Sequence, residues 1–268
     1  MTRLTDEMVR GVIGSADAVD SMLSAATGMN RLELALDALG LAPGDADPRG
    51  VKASAVPVTS GLGVIKKFSE SVAEVAGKLG MDASVTRSPD VTGFSEALSS
   101  GSEVIFMADD ETFMAYNVRA GRCANNSFCT AAGYASALKG AAGGLGGKRV
   151  LVIGAGRVGS IAARIMSAQG AEVCIADIDS ERAERVAREA GASVSGVMEA
   201  VASHDLILNA SPAHIPGSAI RPGSIISSPG IPHTFDAEAR SKATIIHDPL
   251  DIGTSVMAVQ CVSFSRRG

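Results

Sequence analysis

Gly154-Ala155-Gly156-Arg157-Val158-Gly159 follows directly on the apolar run Arg149–Ile153 and opens a stretch of helical periodicity. Strand, G-x-G-x-x-G and helix in that order are what a βαβ dinucleotide turn requires, so this hexapeptide limits the fold more than any other feature. Gly154 permits the tight turn and Gly156 lets backbone approach a pyrophosphate. Gly159 lets helix and strand pack closely, and the helix N-terminus faces the anion. Arg157 and Val158, in the same turn, are counted with the cofactor-binding residues. Asp177 closes the next apolar segment, about 20 residues on, where a carboxylate accepts hydrogen bonds from the adenosine ribose. A 2′-phosphate beside that carboxylate would meet like charge, at about 1 kcal/mol in water and about 4 at an effective dielectric of 20. Ile178 and Asp179 follow, with no arginine to reverse the preference, so the sequence predicts NAD over NADP by at least roughly tenfold. The competing reading is a glycine turn without ligand, which strand, loop, helix and acid together disfavour.

Alternation continues on both sides of this motif. Downstream, Lys148–Ile153, Glu172–Ala176, Leu206–Asn209, Ser224–Ser227 and Thr244–His247 read as strands, with helices at Val158–Gln169 and Ser180–Glu189. That is a doubly wound parallel sheet. Upstream, helices are predicted over Thr5–Thr27 and Asn30–Leu39. A smaller alternation follows: strand Ala55–Thr59, helix Val64–Leu79, strand Ala83–Arg87, helix Thr92–Leu98, strand Glu103–Ala108, a helix from Thr112 and another over Cys129–Lys139. The expected class is α/β, a C-terminal Rossmann sheet preceded by a smaller helical α/β substrate domain with its own parallel sheet. The Gly-rich stretch 140–147 marks the boundary, giving domains 1–143 and 144–268, the second with a C-terminal helix that packs back toward the first.

Composition removes several classes of function. Apolar residues make up 46% and charged residues 20%, net charge is −5, and no apolar run has the length of a membrane span. Lysines and arginines form no stripe, so neither nucleic acid nor membrane is expected as a partner. Cys123, Cys129, Cys174 and Cys261 lack Cys-x-x-Cys spacing and read as free thiols of a cytoplasmic protein. The acidic N-terminal stretch does not resemble a signal peptide. The four histidines show neither HExxH nor an i, i+4 pair, so no metal is expected. Gly-x-Ser-x-Gly and Walker A patterns are absent as well.

Asn209-Ala210-Ser211-Pro212 and Ser228-Pro229-Gly230-Ile231-Pro232 follow strands, where open α/β sheets bind ligands, and Ala210, Ser211, Pro212, Pro229 and Gly230 are expected near the nicotinamide. In the first half, Thr59-Ser60-Gly61-Leu62-Gly63 reads either as a cradle for a substrate carboxylate or as an N-cap with a tight turn. Asp109, Asp110 and Glu111 stand at a strand end toward the expected cleft. Asp110 is predicted to cap a helix, and a second carboxylate held there would suit a cationic substrate. One of Asn125 and Asn126 caps the connecting helix and the other is available for ligand.

VPVTSGLG (56–63), FSES (68–71), PDVTGF (89–94), MADDETF (107–113), ANN (124–126), SPGIP (228–232) and PLDIGTSVM (249–257) together resemble the pyrrolysine synthase family. The resemblance runs from Val56 to Met257. It implies NAD-dependent oxidation of the terminal amine in 3-methyl-D-ornithyl-N6-L-lysine to an imine, then loss of ammonia and closure of a pyrroline ring. It also implies that Asp109 is the key substrate-facing carboxylate, with Leu4, Ser60, Asn126 and Asp248 as substrate contacts. Two positions depart from the family pattern, which has Glu at Asp248 and Cys at His233. The partner is then a small dipeptide-like substrate, and a homodimer is compatible with the sequence. Competing readings are another two-domain NAD-dependent dehydrogenase of amino-acid or alicyclic substrates, and a non-catalytic NAD sensor.

Overall fold

The computed structural model describes residues 16–65, 67–232 and 235–266. Leu4, the cap expected at Thr5 to Glu7 and His233 lie outside them. The described residues form two compact units: those within 16–21, 30–130 and 249–266 make the first, and those within 22–29 and 131–248 the second.

The first unit holds a five-stranded sheet. Helix α1 (Ala16–Thr27) and helix α2 (Arg31–Ala38) precede strand β1 (Lys52–Val56). Then come α3 (Phe68–Lys78), β2 (Asp82–Val85), α4 (Asp90–Ser99), β3 (Val104–Ala108), β4 (Phe113–Asn117) and β5 (Arg122–Asn125). Helix α5 (Asn126–Ala141) is shared with the second unit. Sheet order is β2-β1-β3-β4-β5, parallel across the first three strands and antiparallel from β3 to β5. This corrects the all-parallel expectation and the helix expected from Thr112. Phe113, Ala115 and Asn117 are buried and alternate with the half-buried Met114 and Tyr116, the period of a strand.

A final helix, α10 (Asp251–Ser263), completes this unit. Residues from Asp251 to Val259 are all buried, the polar Asp251, Thr254 and Ser255 included. Val256, Met257, Val259 and Val262 share a core with Val72, Val75, Phe106 and Phe113. The helix therefore belongs to the first unit by contact, not to a domain spanning 144–268. Its N-terminus is tied to α2, whose first turn is set by a capping box: Asn30 accepts from the Glu33 amide, and Glu33 from the Asn30 amide. Arg31 follows and donates twice to Asp251, Nε to Oδ1 at 2.7 Å and Nη2 to Oδ2 at 2.9 Å, while Nη1 donates to Asp20 at 2.7 Å. Arg31 is 3% exposed and Asp251 wholly buried. Burial alone would lower the Arg31 pKa, but the two carboxylates outweigh it and hold the guanidinium above its ordinary value.

The second unit is an all-parallel sheet of order β11-β10-β9-β6-β7-β8. Its strands are β6 (Arg149–Ile153), β7 (Glu172–Ala176), β8 (Ser193–Val194), β9 (Leu206–Asn209), β10 (Ile225–Ser227) and β11 (Thr244–Ile246). Helices α6 (Arg157–Ala168), α7 (Ser180–Ala190), α8 (Val197–Ser203) and α9 (Ala237–Lys242) connect them. Strand order reverses at β6, next to β9, the switch point at which a doubly wound sheet binds its ligand. β6 and β7 are each buried at four of five positions, as strands covered on both faces are.

The glycine-rich stretch does not separate the units. Helix α5 runs unbroken through residue 130, and Gly143, Gly144 and Gly147 take left-handed φ values of 64°, 104° and 68° to end it and turn into β6. Side chains dictate which unit receives the second half of α5. The buried Tyr134 hydroxyl accepts from the Asp248 amide at 2.8 Å and donates to the Asp248 carbonyl, and the Tyr134 carbonyl accepts from Ser227 Oγ. Among the described residues no helix is long and apolar enough to cross a membrane. Cys123 is exposed, and Cys129, Cys174 and Cys261 are buried free thiols; burial pushes Cys261 up to about 12.

Candidate active site

In the second unit the fingerprint residues gather at the C-terminal ends of β6, β7, β9 and β10. Two of the glycines are demanded by the protein itself. A Cβ on Gly159 would sit 1.8 Å from the Gly154 carbonyl oxygen, and one on Gly154 would meet the Ala210 carbonyl at 2.9 Å with φ at +93°. Gly156 is different, because a Cβ there would meet nothing within 4 Å. Gly156 is the N-cap of α6, makes no side-chain cap, and like Arg157 is exposed. The first turn of a helix leaves amides without intrahelical partners, so this end is a cradle that fits an anion. Val158 and Gly159 complete that turn.

Asp177 is placed by the same loop. Its Oδ2 accepts from the Ala155 amide at 2.6 Å and its Oδ1 from the Asp179 amide at 2.9 Å. The structure also brings in a cation not expected there: Arg182 Nη1 lies 4.0 Å from Asp177 Oδ2. One helical turn returns residue 182 to the end of β7, which reading only the residues next to Asp177 misses.

The two later loops pack on each other. Gly230 donates to the Asn209 carbonyl at 2.9 Å, and its missing Cβ would fall 2.2 Å from the Ser211 carbonyl oxygen. Buried Asn209 accepts from the Ser211 amide and hydroxyl, fixing Ala210, Ser211 and exposed Pro212 against half-buried Pro229 and buried Gly230. Beyond them His247 uses Nδ1 to contact the Ser228 carbonyl at 2.7 Å. Burial holds the His247 pKa below its ordinary value against that hydrogen bond, with a smaller push from Arg240. The unfolded chain thus takes up a proton near pH 6.5 that the folded chain refuses until lower pH. Stability should fall as pH drops through 6.5 toward the folded value. Thermal melts across that window should show His247→Gln with a flatter dependence than wild type, and parallel curves would exclude His247 as the source.

In the first unit the register of the sheet brings three of the expected residues to one edge. Ala108 pairs with Phe113, Met114 with Asn125, and Val56 with Met107, so the segments leaving β1 and β3 and entering α5 share the sheet end that carries Ser60, Asp109 and Asn126. Asp109 closes the β3–β4 hairpin. Its Oδ1 accepts from the Glu111 amide at 2.8 Å and the Thr112 amide at 2.7 Å, and its own amide donates to the Thr112 carbonyl. The residue is exposed, and its Oδ2 has no hydrogen bond among the described residues. Asp110 caps no helix; its Oδ2 accepts from the Leu62 amide at 2.7 Å, where a Cβ on Gly61 would collide with it. Asp90 accepts from the Thr59 amide at 2.8 Å and from its hydroxyl, and these bonds hold the Asp90 carboxyl below the usual range. The Ser60 loop is thus fastened at both ends by acids from two other segments. Asn125 accepts from the Ser127 amide at the start of α5, leaving Asn126 beside Thr130 and the backbone of Gly253. Asp248, in the second unit, is 7% exposed.

Residues 8–124 match the family model "Pyrrolysine biosynthesis protein PylD, N-terminal domain", and residues 136–217 match "Shikimate / quinate 5-dehydrogenase". Pyrrolysine synthase of Methanosarcina acetivorans is 34% identical over 261 residues, 96% of this chain and 98% of that protein. The chain belongs to the pyrrolysine synthase family. Pyrrolysine synthase of Methanosarcina barkeri is 36% identical over 214 residues, 77% of this chain and 79% of that protein. Quinate dehydrogenase from Corynebacterium glutamicum shares the fold with a TM-score of 0.53 at 15% identity, over 80% of this chain and 94% of that one. Shikimate 5-dehydrogenase from Thermus thermophilus does so with 0.52 at 16%, over 81% and 98%.

This member of the pyrrolysine synthase family is an oxidoreductase built on a nicotinamide-dinucleotide fold. The resemblance motifs of the family are held together physically. Asp90 of PDVTGF and Asp110 of MADDETF clamp the VPVTSGLG loop, and Gly253 of PLDIGTSVM lies against Asn126 of ANN. Sequence reading missed Asp90, Arg31, Asp251 and Tyr134 as supports. Asp90 and Asp251 lie within those motifs, whereas Arg31 and Tyr134 lie in none and carry no local signal.

Proposed function

We propose that this protein is a pyrrolysine synthase that uses NAD to oxidise the terminal amine of 3-methyl-D-ornithyl-N6-L-lysine. The observation that carries the reading is Asp109: a carboxylate locked by two backbone amides, exposed at the sheet end it shares with Ser60 and Asn126. An ionised carboxylate is an acceptor only, so it suits an ammonium donor. Asp109 anchors that ammonium, Ser60 and Asn126 supply neutral polar contacts, Asp248 a second carboxylate, and Leu4 an apolar contact. Gly154, Gly156 and Gly159 with the first turn of α6 would hold the pyrophosphate, Asp177 the ribose, and Ala210 to Pro212 with Pro229 and Gly230 the nicotinamide end. Bound there, NAD supplies a hydride acceptor.

The substrate side follows from proton accounting. An amine of pKa about 10.4 is only about 0.04% neutral at pH 7, yet hydride leaves the carbon of a neutral amine. Asp109 stabilises the charged form, which makes it an orienting group, and the proton must leave before oxidation. The C–H bond and the N–H bond lost give an imine; the second ornithine amine adds to its carbon, and ammonia departs to leave the cyclic C=N. Mixing the protein with NAD and the synthetic dipeptide, while following reduced nicotinamide by absorbance and products by mass spectrometry, tests the reading. One reduced nicotinamide and one ammonia per pyrroline are expected. Bound NAD without turnover would sink it.

A further inference from the structure

Arg182 stands where an arginine would be useful to NADP, yet it is already engaged. Asp179 is the N-cap of α7: its Oδ1 accepts from the Arg182 amide at 3.0 Å and its Oδ2 from Arg182 Nη2 at 2.8 Å. Asp177, whose carboxylate reads the ribose, is 4.0 Å from the other guanidinium nitrogen. The side chains of Asp179 and Arg182 are both about four-tenths exposed, so the pair faces solvent beside the cradle. Between the two acids Ile178 is 96% exposed, a large apolar surface left bare at the end of β7. Two carboxylates and one guanidinium leave the group with a net negative charge.

We propose that Asp179 holds Arg182 in an internal pair that denies its charge to a 2′-phosphate, so that a chain carrying an arginine at the right place still discriminates against NADP. The inference rests on the reading of Asp177 as the ribose-binding acid. It adds a residue that never touches the cofactor: Asp179 acts through Arg182 and is a positioning residue. A guanidinium held by the Asp179 carboxylate would have to break a charge-assisted bond before it could fork onto a phosphate.

Removing the carboxylate while keeping the cap separates charge from structure, because Asn caps a helix as well as Asp. NADH and NADPH are titrated by nicotinamide fluorescence into the full chain, without substrate, at low ionic strength. Wild type should prefer NADH. In Asp179→Asn the ratio of NADPH to NADH dissociation constants should fall about tenfold, equal to about 1.4 kcal/mol. That gain should vanish in the double variant Asp179→Asn, Arg182→Gln. An unchanged ratio in Asp179→Asn overturns the proposal, as does a gain that survives loss of Arg182, which would reflect net charge alone. Loss of NADH binding in Asp179→Asn also overturns it, since the pair would then be needed to form the site. A wild-type preference for NADPH contradicts the reading of Asp177 whatever the variants do. Failure to bind either cofactor removes both.

Discussion

Asp109→Asn should lower kcat/KM for the proposed ornithyl-lysine substrate by about 100-fold while leaving the fold intact. Asparagine keeps an Oδ1 that can accept from the Glu111 and Thr112 amides, so the β3–β4 turn survives. The negative charge is lost. A hydrogen bond between ionised partners is worth about 1.5–3 kcal/mol, and the upper part of that range corresponds to about two orders of magnitude. An anchor that binds substrate and transition state alike shows its loss in KM, with kcat within a few-fold. A fall confined to kcat would assign Asp109 to proton transfer instead. Retention of kcat/KM within about threefold of wild type would remove it from the site. The thermal melt should stay within about 0.5 kcal/mol of wild type, as for a substitution that leaves core and turn unchanged.

Arg31→Met should cost about 3–5 kcal/mol of stability. The variant leaves the Asp251 carboxylate wholly buried and without its guanidinium, with Ser255 Oγ at 3.2 Å among its remaining contacts. A protein of this size loses roughly 2–4 °C in melting temperature per kcal/mol, so the shift should be about 10 °C. Adding Asp251→Leu to Arg31→Met removes the stranded charge and should recover much of the loss, because a buried ion pair replaced by apolar groups is often neutral. Equal destabilisation in the single and double variants would mean that lost packing, not the uncompensated charge, sets the effect.

Particular residues explain what could be read in the chain beforehand. The glycine fingerprint was legible because each requirement is local: Gly154 and Gly159 have no room for a Cβ against backbone a few residues away or at the next strand. β7 and β9 were legible as short apolar runs bounded by turns. The β4–β5 hairpin was misread because Asp109-Asp110-Glu111 before Thr112 looks like a helix cap. An aspartate that bonds backbone two or three residues on makes either an Asx turn or a cap, and only the alternation of Phe113, Ala115 and Asn117 distinguishes them. α8 and α9, with 7 and 6 residues, are too short for a helical period to show. The glycine run at 140–147 resembled a linker because residues that end a helix are also those that make one flexible. Partners far apart in sequence, such as Arg31 with Asp251 or Thr59 with Asp90, leave no periodicity at all.

The bond between Arg31 and Asp251 spans 220 residues and bears on how the chain is made. At ribosomal speeds of roughly 5–20 residues per second, Arg31 emerges about 10–45 s before its partner. Throughout that interval the core around Val72, Phe106 and Phe113 lacks α10, whereas the stretch from 131 to 248 has every strand of its own sheet by the end of it, before α10 is made. The nucleotide-binding unit can therefore fold during translation, and the N-terminal unit must wait for the last helix. The usual vectorial order, N-terminal unit first, is reversed.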